Sequence, residues 1–300
     1  MNTKIKMQFP ELNYNFDYST IEIDEQYSIA FTDEGEGRST LLFIHGLSSY
    51  IPAWSKLIPM LKNNFRCVAI DLPGYGKSSA APHSGSMKFY AQSVNKFISK
   101  MNMKNVFLIG HSMGGQISIT TALEYPTAVK GLILLATAGF EIFNEDESAK
   151  LKRIGSAETY SKFNDEQIRI NYEMNFFNMP QDVQAMIEDR IKMKSWRNFM
   201  NYCGVVSNSL AGMLDFPVFE KLNQIKIPTY VLFGKEDKLI PNQILHPGIT
   251  PEIICKSGTA KIPNSKCYLI DYCGHFIQFE KPNEVAQIIK ECFKNQSERS

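Results

Sequence analysis

Six short apolar runs, each bounded by loop residues, constrain the fold of this chain more than anything else in it. They lie at residues 41–44, 67–70, 106–109, 132–136, 230–233 and 267–270. Each is apolar throughout and does not alternate, so each predicts a strand buried on both faces of a sheet. Two further strand-like runs open the chain at about 19–23 and 27–33, and the acidic, Gly-containing stretch 33–37 after them reads as a turn. Between the runs lie helical patterns. Tyr90, Val94, Phe97, Ile98 and Met101 recur on one face, as do Val285, Ile288, Ile289 and Cys292, with Pro282 near that helix start. Strands alternating with one-faced helices predict an α/β fold with a mostly parallel sheet.

The alternation breaks once. From Gly139 to about Asp215 no strand-like run occurs, and the spacing predicts helices instead. Ile168, Tyr172 and Phe176 recur every four residues behind Asp165, read here as an N-cap, and Val183, Met186, Ile187 and Ile191 form a second face. Met and aromatic residues crowd this stretch. Most serve helix packing, and a minority are candidates for an adaptable apolar pocket wall, with Phe140, Met193 and Trp196 singled out.

Composition narrows the class. With 44% hydrophobic and 21% charged residues, the 300-residue chain can bury a sizeable core and is not of the disordered type. Lys plus Arg is 32 against 31 for Asp plus Glu, without a run of one sign, so neither nucleic acid nor an anionic membrane is an expected partner. No apolar stretch of transmembrane length and no signal-peptide h-region is present. The six cysteines are scattered, with no C-x-x-C pair, and read as buried free thiols of a cytoplasmic protein more than as disulfides or a metal site.

The chemistry is concentrated in Gly110-His111-Ser112-Met113-Gly114, followed by Gly115. An apolar strand pattern leads into it and a helical one leads out. A serine on such a strand-to-helix turn has its Oγ exposed near a helix N-terminus, where developing negative charge is favoured, and its small neighbours permit the close packing. A nucleophilic serine needs a base. Of five histidines, His45 and His111 sit inside turn motifs and His83 and His246 in Pro-containing loops. His275 follows a strand end and precedes the C-terminal helix, so it is the candidate base. The acid that holds such a histidine is assigned to Asp237, on the loop after run 230–233, with Glu236 and Glu141 as competitors and Asp271 too close in sequence to His275. The resulting chain order, serine, acid, histidine, is the one expected for a nucleophile on this kind of turn. An oxyanion hole needs two backbone N–H donors, assigned to Met113 and, on the loop after run 41–44, to Leu47 beside Gly46.

With His45-Gly46, the D-x-P-G-x-G-x-S stretch 71–78, the motif at 110–115, G-x-x-D at 234–237 and Gly274-His275 in order, the sequence resembles the α/β-hydrolase superfamily from about Tyr18 to Phe293. The resemblance implies an eight-stranded, mostly parallel sheet flanked by helices, with residues 1–138 and 216–300 as the core domain and 139–215 as a helical cap inserted after the sixth strand. It implies a structural loop, without a catalytic role, for 71–78. Haloalkane dehalogenases and epoxide hydrolases have an aspartate where this chain has Ser112, which leaves ester, thioester, amide or carbon–carbon hydrolysis. Asp237 and His275 are 38 positions apart, more than the resemblance leads one to expect, and the extra length at about 245–263 is read as a short helix near the pocket mouth. The expected activity is cleavage of carboxylic esters of small to medium apolar acyl groups, with a small-molecule ester as partner and no cofactor or metal. A carbon–carbon hydrolase of vinylogous diketones and a ligand-sensing receptor on the same fold are the alternatives.

Overall fold

The computed structural model describes residues 12–297. Its eight strands are β1 (Ser19–Glu22), β2 (Ser28–Glu34), β3 (Thr40–Ile44), β4 (Arg66–Ile70), β5 (Val106–His111), β6 (Gly131–Leu135), β7 (Thr229–Gly234) and β8 (Ser265–Ile270). They form one sheet in the order β1-β2-β4-β3-β5-β6-β7-β8. The pairs β1–β2 and β2–β4 are antiparallel and all others parallel. The expected mostly parallel sheet is therefore present. Every residue of β3, β5 and β6 is buried, as their unbroken apolar runs require, whereas the edge strand β1 is largely exposed.

Strand order decides where a ligand can sit. From β3 the chain runs to β4 on one side, then crosses to β5 on the other. The crevice beyond the carboxyl ends of β3 and β5, where the winding direction changes, is the place such sheets leave open for ligands. His45-Gly46-Leu47 follows β3 there, and Ser112 follows β5.

The helices Met87–Lys100 and Pro282–Ser297 occupy the two predicted one-faced patterns. Between β6 and β7 the longer elements are the helices Glu145–Ile154, Asp165–Glu173, Gln184–Met193 and Phe199–Asp215. The N-cap of the second is Asn164, not Asp165. The Asn164 side chain accepts from the Gln167 N–H while the Gln167 side chain accepts from the Asn164 N–H, a reciprocal pair that leaves Asp165 free for the first turn. The extra length after Asp237 contains a further helix, Pro251–Lys261.

One cysteine expectation is overturned. Cys255, in the helix Pro251–Lys261, and Cys267, in β8, form a disulfide, while Cys67, Cys203, Cys273 and Cys292 are free and buried. The cause is packing. The helix lies against β7 and β8, which brings together two cysteines 12 positions apart. The cysteine pattern therefore ceases to argue for a reducing compartment. Among the described residues no helix is long and apolar enough to cross a membrane.

Two polar groups brace the loops beyond β3 and β4. The Asp71 carboxylate accepts from the Ile51 N–H at 2.7 Å, from the Lys77 N–H at 2.8 Å and from the Tyr14 hydroxyl. Burial pushes its carboxyl up to about 6. His45 donates from Nδ1 to the Gly46 carbonyl at 2.8 Å, and its Nε2 accepts from the Leu72 N–H at 3.0 Å. That arrangement needs the neutral ring, and burial lowers its pKa to about 4.

A depressed histidine pKa stabilises the fold above the unfolded value, about 6.5, and that stability is lost as pH falls toward 4. Between pH 7 and pH 5 the loss from His45 is about 2 kcal/mol. Urea denaturation of wild type should thus weaken over this interval by about 2 kcal/mol more than that of His45→Asn. Equal losses in the two proteins would dismiss His45 as the cause.

Candidate active site

Ser112 occupies the turn between β5 and the helix Met113–Glu124, at φ 53° and ψ −117°, a backbone region that residues with a Cβ rarely enter. The surroundings hold it there. Its N–H donates to the Leu135 carbonyl at 2.9 Å, and its carbonyl accepts from Gly115 at 2.9 Å and Ala138 at 3.0 Å. A Cβ on Gly110 would strike the Gly114 carbonyl, and one on Gly114 would strike the Ile44 carbonyl of β3. The two glycines let the helix start close enough to β3 and β5 for the turn to close.

Asp237, on the loop after β7, and His275, after β8, meet at 2.8 Å between Oδ2 and Nδ1. Both side chains are buried. The second oxygen of Asp237 accepts from the N–H groups of Leu239 at 2.8 Å and Ile240 at 3.0 Å, so the carboxylate cannot rotate away. The loop of His275 is held on both sides. The His275 carbonyl accepts from His111 Nε2 at 3.0 Å, Gly274 N–H donates to Glu280 at 2.8 Å, and Phe276 N–H donates to the Asn175 carbonyl at 3.0 Å. The competing acids are engaged elsewhere. Glu236 accepts from Cys273 N–H, Asp271 pairs with Lys235, and Glu141 pairs with His246.

Ser112 and His275 line one cavity of about 380 Å³. Gly46, Leu47 and Ser48 form part of its wall, with Ser48 at φ 59°. Among the described residues no acceptor takes up the N–H groups of Leu47 or Met113. Much of the remaining wall is apolar, including Phe143, Phe163, Ile168, Phe176, Met186 and Phe276.

The three pocket residues expected from the sequence are not in this wall. Gly139 and Glu141 face the cavity, and Phe140 between them turns the other way, filling the space beside Gly258. Met193 and Trp196 lie beyond Met186 and Arg190, the members of that helix that do reach the cavity. Met193 is buried at a smaller neighbouring pocket, and Trp196 packs against the core. Arg190 was not foreseen. It is 9% exposed, its guanidinium lies 4.4 Å from the Tyr202 ring centre, and its Nη1 has no hydrogen-bond partner among the described residues. Its sequence signal is a charge on an apolar face, at i+4 from Met186 and i−3 from Met193.

A family model for the alpha/beta hydrolase fold matches residues 39–282. The chain belongs to the α/β-hydrolase family. This α/β hydrolase is 24% identical over 279 residues to monoacylglycerol lipase ABHD6 of Bos taurus, with 89% of this chain and 78% of that one covered. It is 26% identical over 277 residues to the 2-hydroxy-6-oxononadienedioate/2-hydroxy-6-oxononatrienedioate hydrolase of Escherichia coli K12, with 89% and 91% covered. A probable hydrolytic enzyme from Pseudomonas aeruginosa shares the fold with a TM-score of 0.81 at 20% identity, over 94% of this chain and 95% of that one. A thermophilic esterase from Thermogutta terrifontis does so with a TM-score of 0.75 at 23% identity, over 93% and 98%.

The packing at the serine turn yields a paired test. Gly114→Ala should destabilise the hydrolase by about 1–3 kcal/mol or more, because the added methyl meets backbone that cannot move aside. Gly204→Ala, in the helix Phe199–Asp215 with nothing within 4 Å of the added atom, should stabilise it by about 0.5–1 kcal/mol. Thermal unfolding checks both, and a harmless Gly114→Ala would contradict the packing argument.

Proposed function

We propose that this α/β hydrolase is a serine esterase that cleaves carboxylic esters of small to medium apolar acyl groups. Ser112 is the nucleophile, His275 the general base and acid, and Asp237 the group that orients and stabilises the histidine. The observation that carries the proposal is the His275–Asp237 hydrogen bond beside a cavity that Ser112 also lines. Ser112 Oγ attacks the ester carbonyl as His275 takes its proton, and the N–H groups of Leu47 and Met113 hold the oxyanion. The alcohol leaves with the proton that His275 returns. Water, activated by the same histidine, then releases the acid and regenerates the serine. Residues 139–215 act as a cap whose apolar wall selects the acyl group and keeps the intermediate dry, which strengthens the oxyanion contacts.

A specific observation favours a second reading, carbon–carbon hydrolysis of a vinylogous diketone. Arg190 lines the cavity, its Nη1 has no partner among the described residues, and a buried guanidinium suits a substrate carboxylate. The similar protein of Escherichia coli is named for hydrolysis of dienedioate and trienedioate substrates. A receptor without turnover is the third possibility, and ester hydrolysis by the wild type separates it from the first.

Ser112→Ala should fold normally and lose ester hydrolysis by a factor on the order of 10⁴ or more. Asp237→Asn should lose about as much, because the amide favours the wrong tautomer, and Glu236→Gln should stay within roughly tenfold of wild type. Steady-state kinetics with p-nitrophenyl butyrate decide the point, and near-normal turnover by folded Ser112→Ala would rule out the serine. For the second reading, wild type is compared on p-nitrophenyl esters and on a carboxylate-bearing vinylogous diketone. Faster diketone cleavage that falls at least tenfold in Arg190→Met would replace the ester reading.

A further inference from the structure

Glu141 has no part in the hydrolysis just described, yet it stands in the wall of the same cavity. It lies on the chain leaving β6, three residues beyond Ala138, whose N–H holds the Ser112 carbonyl. Its side chain is 6% exposed. One oxygen, Oε1, accepts from the Asn242 N–H at 2.8 Å and from His246 Nδ1 at 2.6 Å. The other, Oε2, has no partner among the described residues. The arrangement is fixed from behind. His246 stacks on Phe143, with ring centres 5.4 Å apart, and its Nε2 lies 3.4 Å from Glu147 Oε1. Burial pushes the Glu141 carboxyl above the usual range, while His246 and Asn242 oppose that shift. An oxygen of a cavity-lining carboxylate that no protein donor engages is open to a donor brought by a ligand, and hydrogen bonds to a carboxylate are among the stronger ones.

We propose that Glu141 Oε2 accepts a hydrogen bond from a substrate hydroxyl, so that the enzyme selects esters carrying a free hydroxyl near the scissile bond. The inference rests on the serine-esterase reading and adds a substrate class to it. The other polar groups of the wall fit a neutral polyol. Asn171, Asn175 and Asn242 offer amides, and a cationic ligand would share the cavity with Arg190. The loop directly after Asp237 then serves twice. The first nine residues after Asp237 supply Leu239 and Ile240 to the triad acid, and Asn242 and His246 to Glu141. A single loop fixes both carboxylates.

The test compares kcat/KM for glycerol monobutyrate and propyl butyrate, which differ only in two hydroxyls. In Glu141→Met the ratio of the glycerol ester to the propyl ester should fall at least tenfold, because the variant keeps the bulk and loses the acceptor. A residue that merely supports the fold would lower both esters alike, so an unchanged ratio overturns the proposal. Should Glu141→Met fail to fold, Glu141→Gln, which keeps the shape and loses the charge, should lower the ratio at least threefold. If wild type hydrolyses neither ester, the esterase reading fails by itself. Calorimetric titration of Ser112→Ala with the same two esters then decides the role of Glu141. Tighter binding of the glycerol ester, lost when Glu141→Met is added, supports the role, and equal binding of the two esters ends it.

Discussion

The backbone at Ser112 is the constraint on which the rest of the site depends. Holding a non-glycine residue at φ 53° and ψ −117° costs on the order of 1–3 kcal/mol, and it persists because the surrounding structure leaves no alternative. The N–H of Ser112 is bound to β6, and its carbonyl is bound by Gly115 and by the chain leaving β6. Gly110 and Gly114 lack the side-chain atoms that would push the helix away from β5 and β3. The same turn places the first N–H of the helix Met113–Glu124 beside the loop of Leu47, because β3 and β5 are neighbours across the change of winding direction. Sheet order and glycine packing thus meet in one tight connection that sets Ser112 in the cavity wall.

Around that turn the cavity is mostly apolar, which makes each polar group in it expensive and therefore specific. The groups that are present have fixed partners. Asp237 uses one oxygen for His275 and the other for two backbone N–H groups, and Gln116 ties its helix to the Met213 and Phe216 carbonyls. Among the described residues, polar atoms of the wall without a partner include Nδ1 of His111 and one nitrogen of Arg190, and one oxygen of Glu141 is open to the cavity. In a dry site such groups discriminate between substrates far more sharply than another apolar side chain would.

The sheet was legible in the sequence because buried parallel strands have to be apolar on both faces, and the runs at 106–109 and 132–136 contain nothing else. Ser112, Asp237 and His275 were legible because each sits directly after such a run, and strand ends are where the fold exposes side chains. The pocket wall was not. Whether Phe140 or its neighbours face the cavity depends on one turn of backbone at Gly139, and an aromatic residue serves packing and pocket equally well. The disulfide escaped for a similar reason, since Cys255 and Cys267 meet only through helix-on-sheet packing. Arg190 carried a signal, a charge beside Asp189 on an otherwise apolar helix face, that composition and motif spacing do not weigh. Glu141 entered as a rival acid. Its partner, His246, lies in a loop without periodicity, so no pattern linked the two.

The Glu280 carboxylate accepts from Gly274, next to His275, and also from Phe177 and Asn178, between two of the helices that follow β6. Asn175 in the same segment binds the N–H of Phe276, so the backbone on either side of His275 is bonded into one assembly with residues 175–178. Such bonds to a carboxylate are among the stronger ones a protein makes. Residues 175–178 therefore cannot swing outward as an independent flap: either these bonds break or the histidine loop travels with them. Any displacement of the cavity wall at Asn175 and Phe176 is thus mechanically linked to the loop of His275.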